Sequence, residues 1–445
     1  MTTELCIAAA DLESLRAAFF PSREERCAVL FASESDRSDG QLRLLVREIQ
    51  YPESGDYSMQ TVDGAELTPA YVARIAKKAL LGRLSLVFVH THPGPPAPAF
   101  SLIDARGERA LIQFLSVRGL IGHHTALVMS LGGSRARRLG ADEEVRVVSV
   151  GAKRIVEFDP ELEETAYSPV FDRQVRAFGG AGQQRLKRLQ VAIVGLGGTG
   201  SIAAQQLVHL GILRFLLIDP DLVEETNLNR IVGATKSDVG NAKVSVAARY
   251  LQGFNSDVST EPLIDNVVRD SVARRLVDAD LILCCTDSHG SRSVVQQVAY
   301  QYMIPCVDVG STITQQDDRI TGIFGRVQLL SPGLPCLWCC ELLDPGEVRR
   351  DMMSESERRL DPYIVGGREP APSVISLNGT VVSLAVSMLL GIVAGAPIDA
   401  THVIYNARAS TLRPVRGTSR PECFICSAKG ALARGDSRPL FTRHD

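Results

Sequence analysis

Two histidines at the end of an apolar segment could hold a catalytic metal ion. His90 and His92 stand at alternate positions before Pro93, and Asp104 follows after a proline-rich turn. Alternate side chains of a strand point to the same side, so both imidazoles can reach one ion. With Asp104 as the third ligand, a fourth position stays open for a water that attacks an amide. Glu25, just before another apolar segment, is a candidate for the base that moves the proton.

Four cysteines form a second candidate metal site. They occur as two C-x-x-C pairs far apart in the chain, Cys336 with Cys339 and Cys423 with Cys426. Each pair can bind one face of a tetrahedral zinc ion, and four thiolates leave no open position for catalysis. The N-terminus lacks the pattern of an export signal, so these cysteines favour a metal over disulfides. The sequence therefore predicts a structural zinc site that fixes the C-terminal segment.

A glycine-rich turn could bind phosphate. It follows a strand-like run and precedes a predicted helix, and its glycines are Gly195, Gly197, Gly198 and Gly200. Such a turn lets backbone N–H groups approach a phosphate at the positive end of a helix. Asp219 ends the next predicted strand and could bind a ribose hydroxyl. These features alone fit a dinucleotide-binding dehydrogenase as well as an ATP-binding enzyme.

The loop after Asp219 separates the dehydrogenase from the ATP-binding enzyme. Asp221, Asn227 and Arg230 follow in one short loop that contains further acidic residues. A dehydrogenase needs no such cluster after the acid that binds ribose. A site for a triphosphate and a metal does, because Arg pairs with phosphate oxygens and carboxylates hold magnesium. The loop therefore favours ATP.

Two α/β domains are predicted to position these residues. The chain of 445 residues is too long for one core, and its apolar pattern changes near residue 150. In the first part, strands are predicted at 27–33, 42–49, 84–90, 125–131 and 145–150, and helices at 68–83 and 105–120. From residue 189 a βαβ pattern begins, with buried strands also predicted at 281–287 and 304–310. The predicted boundaries are a first domain at 1–155, a linker at 156–170, a second domain at 171–430 and a tail at 431–445.

The second domain resembles the ThiF/MoeB and ubiquitin-activating family of adenylyltransferases. The resemblance rests on ordered motifs, which are F-D-R-Q at 171–174, G-L-G-G-T-G at 195–200, N-L-N-R at 227–230, Lys243 and C-T-D at 285–287. It implies a Rossmann-like fold with a mostly parallel sheet. It also implies ATP-dependent adenylation of a carboxylate and a structural zinc on the two C-x-x-C pairs.

The same resemblance implies roles for individual residues. Beyond the glycines, the expected nucleotide ligands are Asp219, Asp221, Asn227, Arg230, Lys243 and Asp287. Asp219 would bind the ribose and Asp287 would bind Mg²⁺, while the amide and the cationic side chains would bind the phosphates. Arg173 would reach the ATP of a partner protomer, which implies a homodimer. Arg173, Arg230, Lys243 and Asp287 would act in the chemical step.

The family also raises the question of a nucleophile. Many members carry a catalytic cysteine after the first C-x-x-C pair, but the segment at about 341–375 contains none here. Cys340, next to a zinc ligand, is the only candidate by position. The sequence therefore favours adenylation followed by direct transfer, or hand-over to a cysteine of another protein.

The first domain resembles the JAB/MPN (JAMM) metalloproteases, which cut ubiquitin-like tails and isopeptide bonds. The resemblance rests on the string H-x-H-P…S-x-x-D from His90 to Asp104 and on the upstream Glu25. It implies a catalytic zinc on His90, His92 and Asp104, with Glu25 as the base and Ser101 supporting the tetrahedral intermediate. The gap before Ser101 is one residue longer than usual, so a JAB scaffold that only binds is an alternative.

Composition bears on the class of partner and on location. The formal net charge is −3 at pH 7, so no basic field supports binding to nucleic acid. No uncharged apolar run is expected to reach about 18 residues, which predicts that no segment spans a membrane. The lack of an export signal predicts a cytoplasmic protein.

Together the two halves predict a fusion enzyme. The second domain would use ATP and Mg²⁺ to adenylate the C-terminal carboxylate of a ubiquitin-like or sulfur-carrier protein. The first domain would process or deconjugate that protein with a catalytic zinc. Adenylation of a peptide or small-molecule carboxylate, with the JAB domain as a scaffold, stays open. So do a non-enzymatic scaffold and a nicotinamide dehydrogenase, although N-L-N-R with the four cysteines counts against the dehydrogenase.

Overall fold

The chain folds into two units. The computed structural model describes residues 3–94, 97–161, 167–317, 319–354, 357 and 371–443. The first unit comprises Met1–Glu164 with Ala431–Pro439, and the second comprises Thr165–Gly430 with Leu440–Asp445. Parts of the predicted linker, of the segment after Cys340 and of the predicted tail lie outside the described residues. The rest of the tail is divided between the two units.

The described part of the first unit contains ten strands and three helices. The strands are β1 (Thr3–Ala8), β2 (Cys27–Asp36), β3 (Leu42–Gln50), β4 (Tyr57–Gln60), β5 (Ala65–Leu67), β6 (Ser85–Thr91), β7 (Thr125–Ser130), β8 (Gly133–Arg138), β9 (Glu144–Val150) and β10 (Arg154–Phe158). The helices are α1 (Ala9–Phe19), α2 (Pro69–Gly82) and α3 (Leu102–Val117). All the strands and helices predicted for this half are present, and β1, α1, β4, β5, β8 and β10 are additional.

The main sheet of the first unit closes on itself. Its order is β1-β3-β2-β6-β7-β8-β9-β10, and β1 also pairs with β9. Alternate residues of β2 serve two cores, as the strand period of two requires. Ala28 and Leu30 pack with α1, whereas Val29 and Phe31 pack with α2 and α3. Strands β4 and β5 form a separate hairpin.

Part of the predicted tail completes the first unit at the end of β2. A 3₁₀ helix, Gly435–Ser437, packs against this strand. The Asp36 backbone N–H donates to Asp436 Oδ2 at 3.2 Å. Gly435 has φ +49°, and a Cβ there would lie 2.8 Å from the Glu34 carbonyl oxygen. The close approach therefore requires glycine.

The described part of the second unit contains eight strands and seven helices. The strands are β11 (Gln190–Val194), β12 (Arg214–Ile218), β13 (Ser259–Leu263), β14 (Leu281–Cys284), β15 (Cys306–Gln316), β16 (Arg319–Leu330), β17 (His402–Asn406) and β18 (Thr411–Pro414). The helices are α4 (Asp172–Arg188), α5 (Gly198–His209), α6 (Lys243–Phe254), α7 (Asp270–Ala273), α8 (His289–Gln301), α9 (Pro345–Met352) and α10 (Ile375–Val393). The predicted βαβ pattern and both further buried strands are present.

The sheet of the second unit is mixed. Its order is β13-β12-β11-β14-β15-β16-β17-β18. The pairings from β13 to β15 are parallel, and those from β15 to β18 are antiparallel. The expectation of a mostly parallel sheet is therefore right only for one half, because β15 runs on into a long hairpin with β16. The strand order reverses beside β11, which places a crevice at the carboxyl ends of β11 and β14.

Helix α10 corrects the sequence-based statement about apolar runs. Its 19 residues carry no charge, and its length and composition alone would allow it to cross a membrane. However, 56% of its apolar window is buried inside the protein, and it packs against α5, β15 and β16. A helix of the protein core can be as long and as apolar as this one, so α10 is only weak evidence for a membrane span.

Candidate functional site

The glycine-rich turn of the second unit lies at the carboxyl end of β11. Gly195 has φ +90°, and a Cβ there would lie 2.9 Å from the backbone of Cys285 and Thr286. A Cβ on Gly200 would lie only 1.8 Å from the Gly195 carbonyl oxygen. Glycine is therefore required where the turn passes the end of β14. Helix α5 begins at Gly198, so its N-terminal N–H groups belong to this turn.

Asp219 anchors the turn to the neighbouring strand. Its carboxylate accepts the Leu196 backbone N–H at 2.6 Å and the Asp221 backbone N–H at 2.8 Å. Burial raises the pKa of Asp219, and nearby Lys243 opposes this rise. Both carboxylate oxygens thus already accept hydrogen bonds from backbone N–H groups, which the sequence did not reveal. Each oxygen keeps a second lone pair, so contact with a ribose hydroxyl is still compatible.

The loop that follows is held by its own side chains. Asn227 is buried and closes a short helical turn by accepting the Glu224 backbone N–H at 3.2 Å. Arg230 donates to the Thr226 carbonyl at 2.6 Å, and Lys243 Nζ contacts Asp221 Oδ2 at 2.7 Å. The two cationic side chains are therefore positioned beside the turn by local contacts that a phosphate could replace.

Asp287 follows β14 and is exposed at the same edge of the sheet. The next residue, Ser288, is the N-cap of helix α8 and donates its hydroxyl to Asp351 Oδ2 at 2.7 Å. Asp351 also accepts the Gly290 backbone N–H at 3.0 Å. A second carboxylate from α9 therefore stabilises the N-terminus of α8 next to the expected magnesium ligand.

Two arginines of the second unit are placed differently. Arg173 is exposed near the start of α4. Arg292 is turned inward on α8, with Nε 3.3 Å from Asp308 Oδ1. Burial alone would raise the pKa of Asp308, but Arg326 and Arg292 hold it below its usual value. Arg292 is therefore committed to a buried ion pair, whereas Arg173 is accessible.

The four cysteines form a Cys₄ zinc-binding cluster. Their sulfur atoms all lie within 4.8 Å of one another. The Sγ atoms of Cys336 and Cys423 are 3.6 Å apart, as are those of Cys339 and Cys426. Sulfurs around a tetrahedral zinc with Zn–S bonds of about 2.3 Å would lie roughly 3.8 Å apart. The geometry therefore fits zinc and closes the site against any further ligand.

Cys340 lies beside this cluster without joining it. Its Sγ accepts a hydrogen bond from Gln328 Nε2 at 3.4 Å. Burial raises the pKa of the Cys340 thiol, with Gln328 and Arg326 opposing the rise. A thiol rather than a thiolate is a weak nucleophile, so its surroundings do not by themselves activate Cys340.

The structure brings His90, His92 and Asp104 together in the first unit. His90 Nε2 lies 3.4 Å from Asp104 Oδ1, and His92 Nε2 lies 3.5 Å from Asp104 Oδ2. Ligand atoms around a tetrahedral zinc at about 2.0–2.1 Å would be roughly 3.3–3.4 Å apart. His90 Nε2 is buried and has no hydrogen-bond partner among the described residues. The donor set therefore fits a zinc ion.

Glu25 and Ser101 flank these three ligands. Glu25 is buried, with Oε1 3.7 Å from His92 Nε2. Ser101 is the N-cap of α3, where its hydroxyl accepts the Asp104 backbone N–H at 3.1 Å while Asp104 Oδ2 accepts the Ser101 N–H at 2.5 Å. This capping box fixes Asp104, although Pro95 and Pro96 of the longer gap lie outside the described residues. The Ser101 hydroxyl proton remains available for donation.

The electrostatics of this cluster follow from burial and close charges. Burial raises the pKa of Glu25, and the two histidines oppose that rise. A hydrogen bond to Asp104 raises the pKa of His92. Burial would raise the pKa of Asp104, but the adjacent imidazoles of His90 and His92 lower it strongly. The carboxylate of Asp104 is therefore ionised and suited to bind a cation.

A cavity of about 700 Å³ opens beside these residues within the first unit. The β4–β5 hairpin, β6 and α3 contribute most of its lining, which is largely apolar. Glu25, His90, His92 and Asp104 are all on its wall. This group of candidate metal ligands therefore lies where a bound molecule can reach it.

The fold and the site of the second unit define a nucleotide-binding α/β protein with a zinc cluster. The ThiF family model matches residues 171–424, more than half of the chain, and the chain belongs to this family. The SAMP-activating enzyme E1 of Haloferax volcanii is 28% identical over 254 residues, covering 57% of this chain and 85% of that relative. The molybdopterin-synthase adenylyltransferase of Escherichia coli is 29% identical over 259 residues, covering 58% and 95%.

A third relative agrees with this assignment. The sulfur carrier protein adenylyltransferase of Thermus thermophilus is 29% identical over 248 residues, covering 56% of this chain and 86% of that relative. The second unit is thus a ThiF-type adenylyltransferase. Among solved structures, a crystal structure of E. coli MccB with ATP is 19% identical, with a TM-score of 0.48, and covers 60% of this chain and 76% of that chain.

Two residues near the candidate nucleotide site were not found from the sequence. A Cβ on Gly198 would lie 2.4 Å from Nδ2 of Asn378, a buried residue of α10 that also accepts from Ser311 Oγ at 3.1 Å. Asp351 on α9 holds the start of α8. Both come from helices far along the chain and belong to no short motif, so sequence spacing carried no signal for them.

Proposed function

We propose that the second unit adenylates the C-terminal carboxylate of a ubiquitin-like or sulfur-carrier protein. The observation that carries this proposal is the meeting of the glycine-rich turn, Lys243 and Asp287 at the carboxyl ends of adjacent parallel strands. The printed names of the relatives support this class of substrate.

In this reaction a carboxylate oxygen attacks the α-phosphorus of ATP. The bond to the β-phosphate oxygen breaks, pyrophosphate leaves with the electron pair, and an acyl adenylate forms. Arg230 and Lys243 would neutralise the phosphate charge, the turn would hold the phosphates, and Asp287 would bind Mg²⁺. Such chemistry needs positioning and charge stabilisation rather than a side-chain nucleophile.

Exchange of labelled pyrophosphate into ATP tests this half of the proposal. We expect exchange to require a protein ending in Gly-Gly and to disappear in Asp287→Ala. Asp257→Ala, an exposed acid distant in sequence, is the control and should retain exchange. Exchange that survives in Asp287→Ala would remove the magnesium assignment.

A peptide or small-molecule carboxylate is the second candidate substrate. It is favoured by the segment at about 341–375, which has no cysteine to receive an acyl group. The same exchange assay separates the two. Stimulation by a short peptide and not by any ubiquitin-like protein would select this second candidate.

The proposal includes a homodimer in which Arg173 reaches the ATP of a second copy. The exposed position of Arg173 on α4 supports it. Mixing inactive Arg173→Ala with inactive Asp287→Ala should restore part of the exchange, because one of the two mixed sites is then intact. A mixture that stays inactive while sedimenting as a dimer would contradict the proposal that Arg173 reaches the ATP of the other protomer.

For the first unit we propose a JAB/MPN (JAMM)-like zinc peptidase that trims or removes the same protein. The fit of His90, His92 and Asp104 to a tetrahedral ion, beside a cavity, supports this. Zinc held there would lower the pKa of a water and polarise the scissile carbonyl. Glu25 would take the proton of the attacking water and return it to the leaving nitrogen as the C–N bond breaks. The Ser101 hydroxyl would donate to the carbonyl oxygen.

Cleavage of a ubiquitin-like fusion tests the first unit. We expect Glu25→Gln to abolish cleavage while zinc content is unchanged, since the proton carrier is lost but the ligands remain. Glu24→Gln changes the exposed neighbour and should cleave at the wild-type rate. Equal rates in Glu25→Gln and wild type would exclude Glu25 as the base.

A further inference from the structure

The wall of the cavity carries a feature that its metal ligands do not explain. On α3, Asp104, Gly107, Leu111 and Phe114 follow at helical spacing and all line the cavity. Gly107 lies in the middle of this helix with no positive φ, and a Cβ there would meet no atom within 4 Å. A side chain at this position would therefore extend into open space beside the metal ligands.

A glycine here is unfavourable for the helix itself. Glycine in a helix interior is less stable than alanine, and no backbone conformation or steric contact at Gly107 requires it. Its effect is to leave room in the cavity one turn beyond Asp104.

The chemistry of the cavity indicates what this room accepts. Phe88, Leu111 and Phe114 form part of an apolar wall, and Ile103, Met59 and Val62 lie at the opening with 68%, 46% and 58% of their surface exposed. The volume of about 700 Å³ is within the range of roughly 300–1,000 Å³ of sites that enclose drug-sized ligands. A Gly-Gly backbone has no side chain to fill an apolar space of this size.

We propose that this cavity binds a bulky apolar side chain, leucine or phenylalanine, within two residues of the bond that the first unit cleaves. The inference rests on the proposed peptidase function of the same site. It adds to that function a requirement for an apolar side chain close to the cleaved bond, beyond the Gly-Gly at which the ubiquitin-like protein ends. Gly107 is then a specificity-determining position, because its missing side chain makes the space.

Binding of labelled peptides to the zinc-loaded full chain tests this without relying on turnover. The Glu25→Gln form is titrated with decapeptides of Gly and Ser, in which each of the four central positions is replaced in turn by Phe. Burial of one such side chain should tighten binding roughly tenfold to one hundredfold at one position. Gly107→Phe, added to Glu25→Gln, should remove that preference. Arg109→Phe places the same side chain at an exposed position of α3 outside the lining and should keep it.

The outcomes separate this inference from the peptidase proposal. Equal affinity for all peptides, or a Phe preference that persists in Gly107→Phe with normal zinc content and helix signal, would overturn the inference. A preference lost in Gly107→Phe supports it, even if the wild type cleaves none of the peptides. Absence of cleavage would then count against the peptidase function alone.

Discussion

The two groups of candidate metal ligands in this protein differ in what surrounds them. The Cys₄ cluster offers four ligands, three of them buried, and uses every position around the ion. The group of His90, His92 and Asp104 offers three ligands and opens onto a large apolar cavity. Both fit tetrahedral zinc, yet the first can only hold the chain together. The difference shows that the number of ligands and the access to them indicate the role of an ion more clearly than the ion itself.

The strongest way to break this comparison is to remove a ligand from the closed site. We expect Cys423→Ser to lose one zinc equivalent and to destabilise the second unit by about 4 kcal/mol or more, because zinc binding there is folding free energy. Its Tm should fall on the order of 10 °C. The single tryptophan, Trp338, lies within the first C-x-x-C pair and reports this unfolding by fluorescence.

Cys340→Ser is the matched control for the closed site. It changes the neighbouring cysteine, whose sulfur does not belong to the cluster. We expect full zinc content and an almost unchanged Tm. Loss of zinc in this variant would mean that the ligand set has been assigned incorrectly.

Removal of a ligand from the open site should reduce activity strongly and stability only slightly. We expect Asp104→Asn to lose the second zinc equivalent and more than about 100-fold in peptide cleavage, since even partners of metal ligands contribute 10–100-fold. The Tm should change by only a few degrees, because the capping role of the side chain can be kept by Asn. A drop in Tm comparable to that of Cys423→Ser would show that this ion is structural too.

A buried histidine outside both groups of candidate metal ligands gives the reference for pH effects. His402 is buried and has no hydrogen-bond partner for its ring nitrogens among the described residues. Burial lowers the pKa of His402 from 6.5 to about 4, and Arg326 adds to this. As the pH falls, His402 is protonated in the unfolded chain before it is protonated in the folded protein. The free energy of unfolding is therefore highest above pH 6.5 and decreases as the pH drops towards 4.

The expected size of this pH effect is about 2–3 kcal/mol of unfolding free energy. Urea unfolding of the second unit at several pH values, followed by Trp338 fluorescence, measures it. His402→Gln should flatten the slope between pH 6.5 and 4. A wild-type curve without slope in this window would show that the folded ring takes up its proton at the same pH as the unfolded ring.

The smallest effect concerns the wall of the open site. Gly107→Ala should raise stability by about 0.5–1 kcal/mol, because it replaces a glycine inside a helix without a steric contact. Gly119→Ala serves as a contrast, since that glycine also has open space around it but has φ +72°. We expect the second change to lower the Tm. A decrease in Tm in Gly107→Ala as large as that in Gly119→Ala would contradict the helical conformation at Gly107.

The ligand sets were predictable because each depends on short spacings. H-x-H and C-x-x-C fix pairs of ligands locally, and Asp104 follows soon after the histidines. The capping box at Ser101 could also be recognised as S-x-x-D before a helix. What the spacing could not show is how the carboxylates are used. Asp219 holds two backbone N–H groups in addition to its expected place near a nucleotide.

The parts of the fold that were missed depend on contacts distant in sequence. Strand β1 is short and pairs with β3 and β9, so its own pattern did not identify it. The second half of β15 is rich in Thr and Gln, because it leaves the core to form a hairpin with β16. Asn378 meets the glycine-rich turn only through the packing of α10. These placements follow from tertiary packing, which a single sequence does not display.

The C-terminal segment is shared between the two units, and this affects both folding during synthesis and the separation of the units by proteolysis. Residues 431–439 belong to the unit that begins the chain, and residues 440–443 return to the other unit. A ribosome therefore synthesises residues 165–430 before the N-terminal unit has all its parts, although its sheet can form earlier. For the same reason, no single proteolytic cut yields both units whole. A fragment ending near residue 160 lacks Gly435, which packs closely against the end of β2.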